Sequence, residues 1–372
     1  MVLLANGVAV VADELLDCTE VQTATAAFLQ QPAVVPPGEK TIYACQGEEA
    51  TCTADEAAWL ASSDATTCIV AVVVVAPDVA SSSPAGGAAV AAPGGASTAG
   101  SRHSGLARVV HHDEGTPLGA TLAGLGCSTA RLWLAGGYDD VGGKGRALTA
   151  SLLRCLERSA ARLHVQLACL GPQNTAADGS PRATALAVDL RTQTARPAAP
   201  HPPQSRGPLL SARMAQWAYS AALCGGSGEE GGCGEVEGGG RHPLRRVYDA
   251  AAQQMELTLW QGRPSPDVLW YAGRMLQLPD EMLLQQCSTS PAHEPPHFTE
   301  DMRAAFGWLL QQSEPAQLAT HRFAWTPNGW QVAAEGEGAA AAGSAAQALP
   351  AVLLRGAEPA ARQAAGSSRL CT

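Results

Sequence analysis

None of the eleven cysteines, scattered from Cys18 to Cys371, forms a C-x-x-C pair. An odd, scattered set fits reduced thiols better than a disulfide framework, which points to the cytosol or nucleus. Long apolar runs are missing too. The longest, Cys68 to Ala76, falls far short of the roughly 20 residues that span a bilayer as a helix. Met1 to Leu16 lacks a basic n-region, and Asp13 and Glu14 interrupt its apolar start, so no secretory signal is expected. Positive charge is scarce. A formal net charge of -10 opposes a phosphate backbone, and no Lys or Arg cluster interleaved with aromatics offsets it. The expected partners therefore include neither nucleic acid nor membrane.

What is present is an apolar content of 46% in 372 residues, enough for a sizeable core. Alanine and glycine concentrate in a few stretches that cannot bury enough surface to offset the entropy of ordering them. Val79 to Ser104 and Gly225 to Gly240 read as insertions, and 333–372 as a disordered Ala/Gly-rich tail. One domain over 1–330, interrupted at 79–104 and 225–240, is the simplest organisation. Strand patterns occur at Val2 to Ala12, Thr41 to Ala44, Leu106 to His112, Arg131 to Ala135, Leu163 to Leu170, Thr184 to Leu190, Arg245 to Asp249 and Met255 to Trp260. The β-branched run from Cys68 to Val75 predicts a strand buried on both faces. Helical spacing appears near Glu20 to Gln30, Ala147 to Ser159, Asp280 to Gln286 and Thr299 to Gln311. Thr299 is the expected N-cap of the last, with Met302, Phe306, Leu309 and Leu310 on its apolar face. Strands and long helices do not alternate regularly. The fold class expected is α+β, a mixed, largely antiparallel, sandwich-like sheet core flanked by helices, rather than a doubly wound parallel sheet.

Cys68 stands where the polar turn Ser62-Ser63-Asp64-Ala65-Thr66-Thr67 enters that strand. Thiol chemistry on an amide needs such a fixed cysteine, an imidazole and donors for an oxyanion. Equally, free cysteine is among the most buried residue types. His111-His112 precedes Asp113 and Glu114. On a strand only one of two adjacent histidines can face Cys68; a solvated polar turn is the alternative. His293-Glu294-Pro295-Pro296-His297 matches the H-E-x-x-H string of zinc proteases. Two prolines prevent the helix that motif requires, so no metal is expected, and no cofactor. The segment from Gly136 to Gly145 lacks the order of a phosphate-binding loop and reads as a turn between strand and helix.

Taken in order, Ser62 to Cys68, His112-Asp113-Glu114-Gly115-Thr116, Leu134 to Tyr138 and Cys287 to Phe298 resemble the protein N-terminal asparagine amidohydrolase family. Leu3-Leu4 and Tyr248-Asp249 are similar to it as well, and the likeness runs to about Leu310. The resemblance implies that Cys68 is the nucleophile and His112, preceding the Gly-Thr pair, its base. Two departures stand out. Forty-four positions separate Cys68 from His112, more than in the family, and Glu114 stands where an aspartate is expected. The implied reaction deamidates an N-terminal asparagine to aspartate through a cysteine thioester, with backbone N–H groups near Cys68, helped by Ser62 or Thr67, holding the oxyanion. Asp64, Thr67, Ser290 and Glu294 are the expected substrate contacts, and Glu294 on its stiff Pro-Pro segment is the expected acceptor of the α-ammonium. The partners implied are polypeptides with a free N-terminal Asn and, indirectly, the arginyltransferase and N-recognin ligase of the N-degron pathway. Two other classes of function fit the same residues: a non-catalytic binder of protein N-termini, and a cysteine amidohydrolase acting on internal glutamine side chains.

Overall fold

A computed structural model describes residues 3–5, 7–33, 38–75, 106–112, 128–198, 206–216, 244–261, 263–312 and 317–333. The expected insertions at 79–104 and 225–240, Asp113 to Thr116, and all but the first residue of the 333–372 tail lie outside the described residues. In chain order the strands are β1 (Leu3–Ala5), β2 (Val8–Val10), β3 (Thr41–Tyr43), β4 (Glu48–Thr53), β5 (Trp59–Ser62), β6 (Ile69–Val75), β7 (Leu106–His112), β8 (Thr129–Tyr138), β9 (Arg162–Gly171), β10 (Leu186–Asp189), β11 (Thr194–Arg196), β12 (Arg245–Arg246), β13 (Tyr248–Asp249), β14 (Gln254–Gln261), β15 (Gln317–Thr326) and β16 (Gly329–Val332). The helices are α1 (Thr19–Leu29), α2 (Lys144–Arg158), α3 (Pro266–Gln277), α4 (Asp280–Cys287) and α5 (Phe298–Leu310). Among the described residues no helix is long and apolar enough to cross a membrane.

The eight-stranded sheet runs β12-β4-β7-β6-β8-β9-β1-β2. Its centre is antiparallel, β6 pairing with β7 and β8, while β8-β9 and β9-β1 are parallel. Two four-stranded sheets, β11-β10-β5-β3 and β13-β14-β15-β16, complete the mixed α+β architecture. The β-branched run of β6 sits at the centre of the large sheet because it can be buried on both faces. Val70, Val72 and Val74 join a core with Ala107, Val109, Trp133 and, from the β5 sheet, Leu60, Leu186 and Val188. Ile69, Ala71 and Val73 face a second core with Leu148, Leu152 and Leu156 of α2. The large sheet is thus covered by a sheet on one face and by helices on the other.

Local differences from the sequence expectations have physical causes. In place of the one strand expected over Val2 to Ala12, Leu3–Ala5 and Val8–Val10 pair antiparallel, with Gly7 at φ +90° between them. Helix α5 starts at Phe298, and no side chain caps it. Met302, Phe306 and Leu309 are buried in it, whereas Leu310 is exposed at its end. Gly136-Gly137 does not end β8, which continues through both to Tyr138.

Candidate active site

The register of the central strands decides which histidine meets the thiol. Ile69 lies opposite His112 and Val70 opposite His111. Side chains alternate between faces, and residues paired across strands share a face. Cys68 therefore points with Val70 toward the core between the two sheets, and it packs against that core. His111 shares this face with Ala107 and Val109. His112 shares the opposite face with Ile69 and Ala71. By the register, His111 lies on the face that Cys68 shares with Val70, and His112, the histidine expected from the sequence to pair with Cys68, lies on the other face. Ser62, fully buried at the end of β5, reaches across the sandwich and its Oγ lies 2.9 Å from His111 Nδ1.

The loop from Ser63 to Cys68 is pinned on every side. The Gly137 N–H donates to the Cys68 carbonyl at 2.7 Å, that of Tyr138 to the Thr66 carbonyl at 3.3 Å, and that of Ala65 to the Thr184 carbonyl at 2.9 Å. Asp64 takes a positive φ of 62°, a conformation that costs an L-residue energy unless its surroundings impose it. Gly136 has φ +116°, and a Cβ there would stand 2.2 Å from the Cys68 carbonyl oxygen. Only glycine permits that approach.

The segment that begins α4's exit closes the other side. Thr67 Oγ1 meets Thr289 Oγ1 at 3.0 Å, and Ser290 Oγ donates to Thr66 Oγ1 at 2.8 Å. Ser63 bonds the Tyr43 hydroxyl. Ser288 donates to Glu294, and His293 sets its ring edge-on to Tyr138 at 5.4 Å. His297 goes elsewhere, to Asp64 at 3.3 Å. The two histidines of the H-E-x-x-H string thus part company, the first in a short 3₁₀ turn and the second at the start of α5.

Charge is distributed unevenly around this loop. Burial pushes the Glu294 carboxyl up to about 7, helped by the nearby Asp64 charge and opposed by the Ser288 and Ser290 hydroxyls. Burial acts in the same sense on Asp64, but the His297 hydrogen bond and the Arg206 guanidinium outweigh it and hold its pKa below the usual range. Arg206 also grips Asp301 through two hydrogen bonds of 2.6 and 2.9 Å. Asp64, His297 and Asp301 offer ligand atoms within 4.8 Å of one another. A metal ion among them would face the Arg206 guanidinium, which already contacts both carboxylates, so this donor set is an ion-pair network rather than a cation site.

Among the other thiols, burial raises Cys45 and Cys169 to about 12, Cys287 to about 11, and Cys52 higher still. Such groups stay protonated at neutral pH and are poor nucleophiles. At Cys68 an unexpected neighbour appears. Gln46 Nε2 donates to the Cys68 Sγ at 3.3 Å. Nothing in the sequence marks Gln46, since the tight turn signalled by Gly47 says nothing about what its neighbour touches.

The family described as protein N-terminal asparagine amidohydrolase matches residues 31–330. A protein of that name from Homo sapiens is 27% identical over 193 residues, 51% of this chain and 53% of the relative. Those from Mus musculus and Sus scrofa are each 27% identical, over 195 and 186 residues, covering 52% and 49% of this chain and 54% and 50% of the relatives. The chain spans about half the length of the curated relatives it matches.

Proposed function

The chain belongs to the protein N-terminal asparagine amidohydrolase family, and from that premise we propose that it deamidates N-terminal asparagine by thiol chemistry at Cys68, with His111 as base. The observation that carries this reading is the hydrogen bond of 2.9 Å between Ser62 and His111 Nδ1, on the same sheet face as Cys68. A side chain holding one ring nitrogen fixes the tautomer and orientation of the other, which is what a general base requires. Ser62 is in this reading a positioning residue.

In the reaction, His111 takes the thiol proton and the Cys68 sulfur bonds the side-chain carbonyl carbon of the asparagine. The carbonyl π pair moves to oxygen and then returns, expelling the amide nitrogen, which leaves as ammonia with the proton from His111. Water, deprotonated by His111, cleaves the thioester. Aspartate and the free thiol result. Thr67 and Ser290 set the walls of the loop against Thr289 and Thr66.

Selectivity for a chain terminus requires a partner for the α-ammonium, since a buried unpaired charge is costly. Glu294, supported by Asp64, takes that role. Its carboxyl, held near 7 by burial, gains a compensating charge when the ammonium arrives. The product begins with an acidic residue, which puts the reaction upstream of arginine transfer and ubiquitin ligation in the N-degron pathway, in the cytosol or nucleus.

The test is an Asn-initiated peptide, which must release ammonia and gain the mass of an acid over an amide, while Gln-initiated and N-acetylated peptides do not. Saturable binding without ammonia release would mean a binder of N-termini instead, and turnover of blocked peptides at internal glutamine a different amidohydrolase. Cys68→Ala must abolish turnover; wild-type rates in that variant would sink the assignment.

A further inference from the structure

The contact between Gln46 and the thiol is not used by the reaction as written above, and the fold spends several interactions on holding it. Gln46 occupies a turn between β3 and β4, closed by the Glu48 N–H donating to the Cys45 carbonyl at 3.0 Å, with Gly47 at φ +73°. The same Glu48 folds its carboxylate back onto the Cys45 N–H at 2.9 Å. Buried Arg213 fixes that carboxylate and also donates to the Tyr43 carbonyl just before the turn. Beyond Gln46, the Gly47 N–H donates to the His111 carbonyl at 3.3 Å, and the Gly47 carbonyl accepts from Arg245 at 3.1 Å. One short turn is thereby tied to the backbone of His111 and presents a neutral N–H donor to the Cys68 sulfur.

We infer that Gln46 is a catalytic residue of this site, its side-chain N–H donating to the oxyanion that forms when the Cys68 sulfur adds to a carboxamide. This rests on the thiol mechanism proposed above. When the new S–C bond forms, the carbonyl π pair localises on an oxygen attached to the carbon the sulfur now holds. That oxygen sits one bond beyond the atom adjacent to sulfur, so a donor already 3.3 Å from Sγ reaches it by a small side-chain rotation. When the pair returns and ammonia leaves, the hydrogen bond slackens again. No proton moves through Gln46. A donor built in before substrate arrives needs no reorganisation during the reaction, which is the condition under which such groups lower barriers most. Ser62, proposed from the sequence for this duty, is instead engaged with His111.

Gln46→Ala and the near-isosteric Gln46→Glu, each confirmed folded by thermal melting, test this alongside Cys68→Ala. The expected result is a fall in kcat of roughly 10²-fold or more in both Gln46 variants, with KM for an Asn-initiated peptide changed little. The probe is a peptide whose N-terminal residue carries a side-chain aldehyde in place of the carboxamide. The thiol adds across its C=O to give a hemithioacetal whose oxygen occupies the oxyanion position. Its affinity must fall in the Gln46 variants by about the factor lost in kcat. A Gln46→Ala protein with near-wild-type kcat beside an inactive Cys68→Ala overturns the inference and leaves the nucleophile standing. Lost kcat with unchanged aldehyde affinity also overturns it, since the effect would then be structural. An active Cys68→Ala removes the thiol reading itself, and Gln46's role with it.

Discussion

Replacing His111 and His112 one at a time by alanine separates two imidazoles that are neighbours in sequence and on opposite faces of a sheet. His111 faces the Cys68 side of β6, and His112 faces the Ile69 side. Loss of a positioned general base typically removes 10²–10⁴-fold of rate, so kcat of His111→Ala should drop by at least about 10²-fold. Ser62→Ala removes one hydrogen bond from the imidazole, worth about 1 kcal/mol, and should cost roughly fivefold. His112 is buried and, by the register, lies on the face of Ile69. Its alanine variant should lose about 1–3 kcal/mol of stability through imperfect packing and keep its turnover within a few-fold. Ammonia release and intact-peptide mass, followed on an Asn-initiated peptide below the melting temperature of every variant, give the comparison. A folded His112→Ala that loses two orders of magnitude while His111→Ala does not would refute the register argument.

Other expectations follow from the same geometry. Because the Glu294 carboxyl lies near 7, KM for the peptide should rise as pH falls below 7, and Glu294→Gln should flatten that profile. The stability effect has the opposite course. A carboxyl whose folded pKa is raised favours the folded state below its ordinary pKa, and loses that contribution as pH climbs through about 7. Glu294→Gln should therefore match wild type in thermal melts near pH 4.5 and exceed it above pH 7, by on the order of 2 kcal/mol after allowance for partial exposure. Arg213→Met leaves buried Glu48 with Arg245 as its remaining guanidinium partner and should cost up to about 3–5 kcal/mol in denaturant titration, most of it recovered by adding Glu48→Leu. Gly136→Ala forces the Cys68 backbone away from β8. A displacement near 1 Å costs about 10²-fold in rate, which steady-state kinetics on folded variant would reveal.

Hydrophobic pattern made the central strands legible. The unbroken run at β6 appears where the sequence puts it, because burial on two faces favours a continuous apolar stretch, and β7 spans the expected Leu106 to His112. β4 and β5 were not visible. Glu48-Glu49-Ala50-Thr51-Cys52-Thr53 reads as polar chain, and its Glu48 is buried with two distant guanidiniums against it, Arg213, 165 positions away, and Arg245. The same limit applies at the site. Ordered motifs point to Cys68 and to the pair of histidines, but which ring faces the thiol depends on how β6 and β7 register, and that register is set by which faces the whole sheet buries. Gln46, Arg206 and Thr289 reach the loop through tertiary contacts that leave no local pattern.

The clasp of Thr289 and Ser290 on Thr67 and Thr66, across 222 and 224 positions, also sets a schedule. A ribosome makes the cysteine early and the residues that fix its loop late. Until the last of them emerges, the nascent chain carries a thiol without its complete shell, and the closing contact is of the long-range kind that forms slowly. The site should thus be complete only once Thr289 and Ser290 have emerged, so the early thiol waits on residues made more than two hundred positions later.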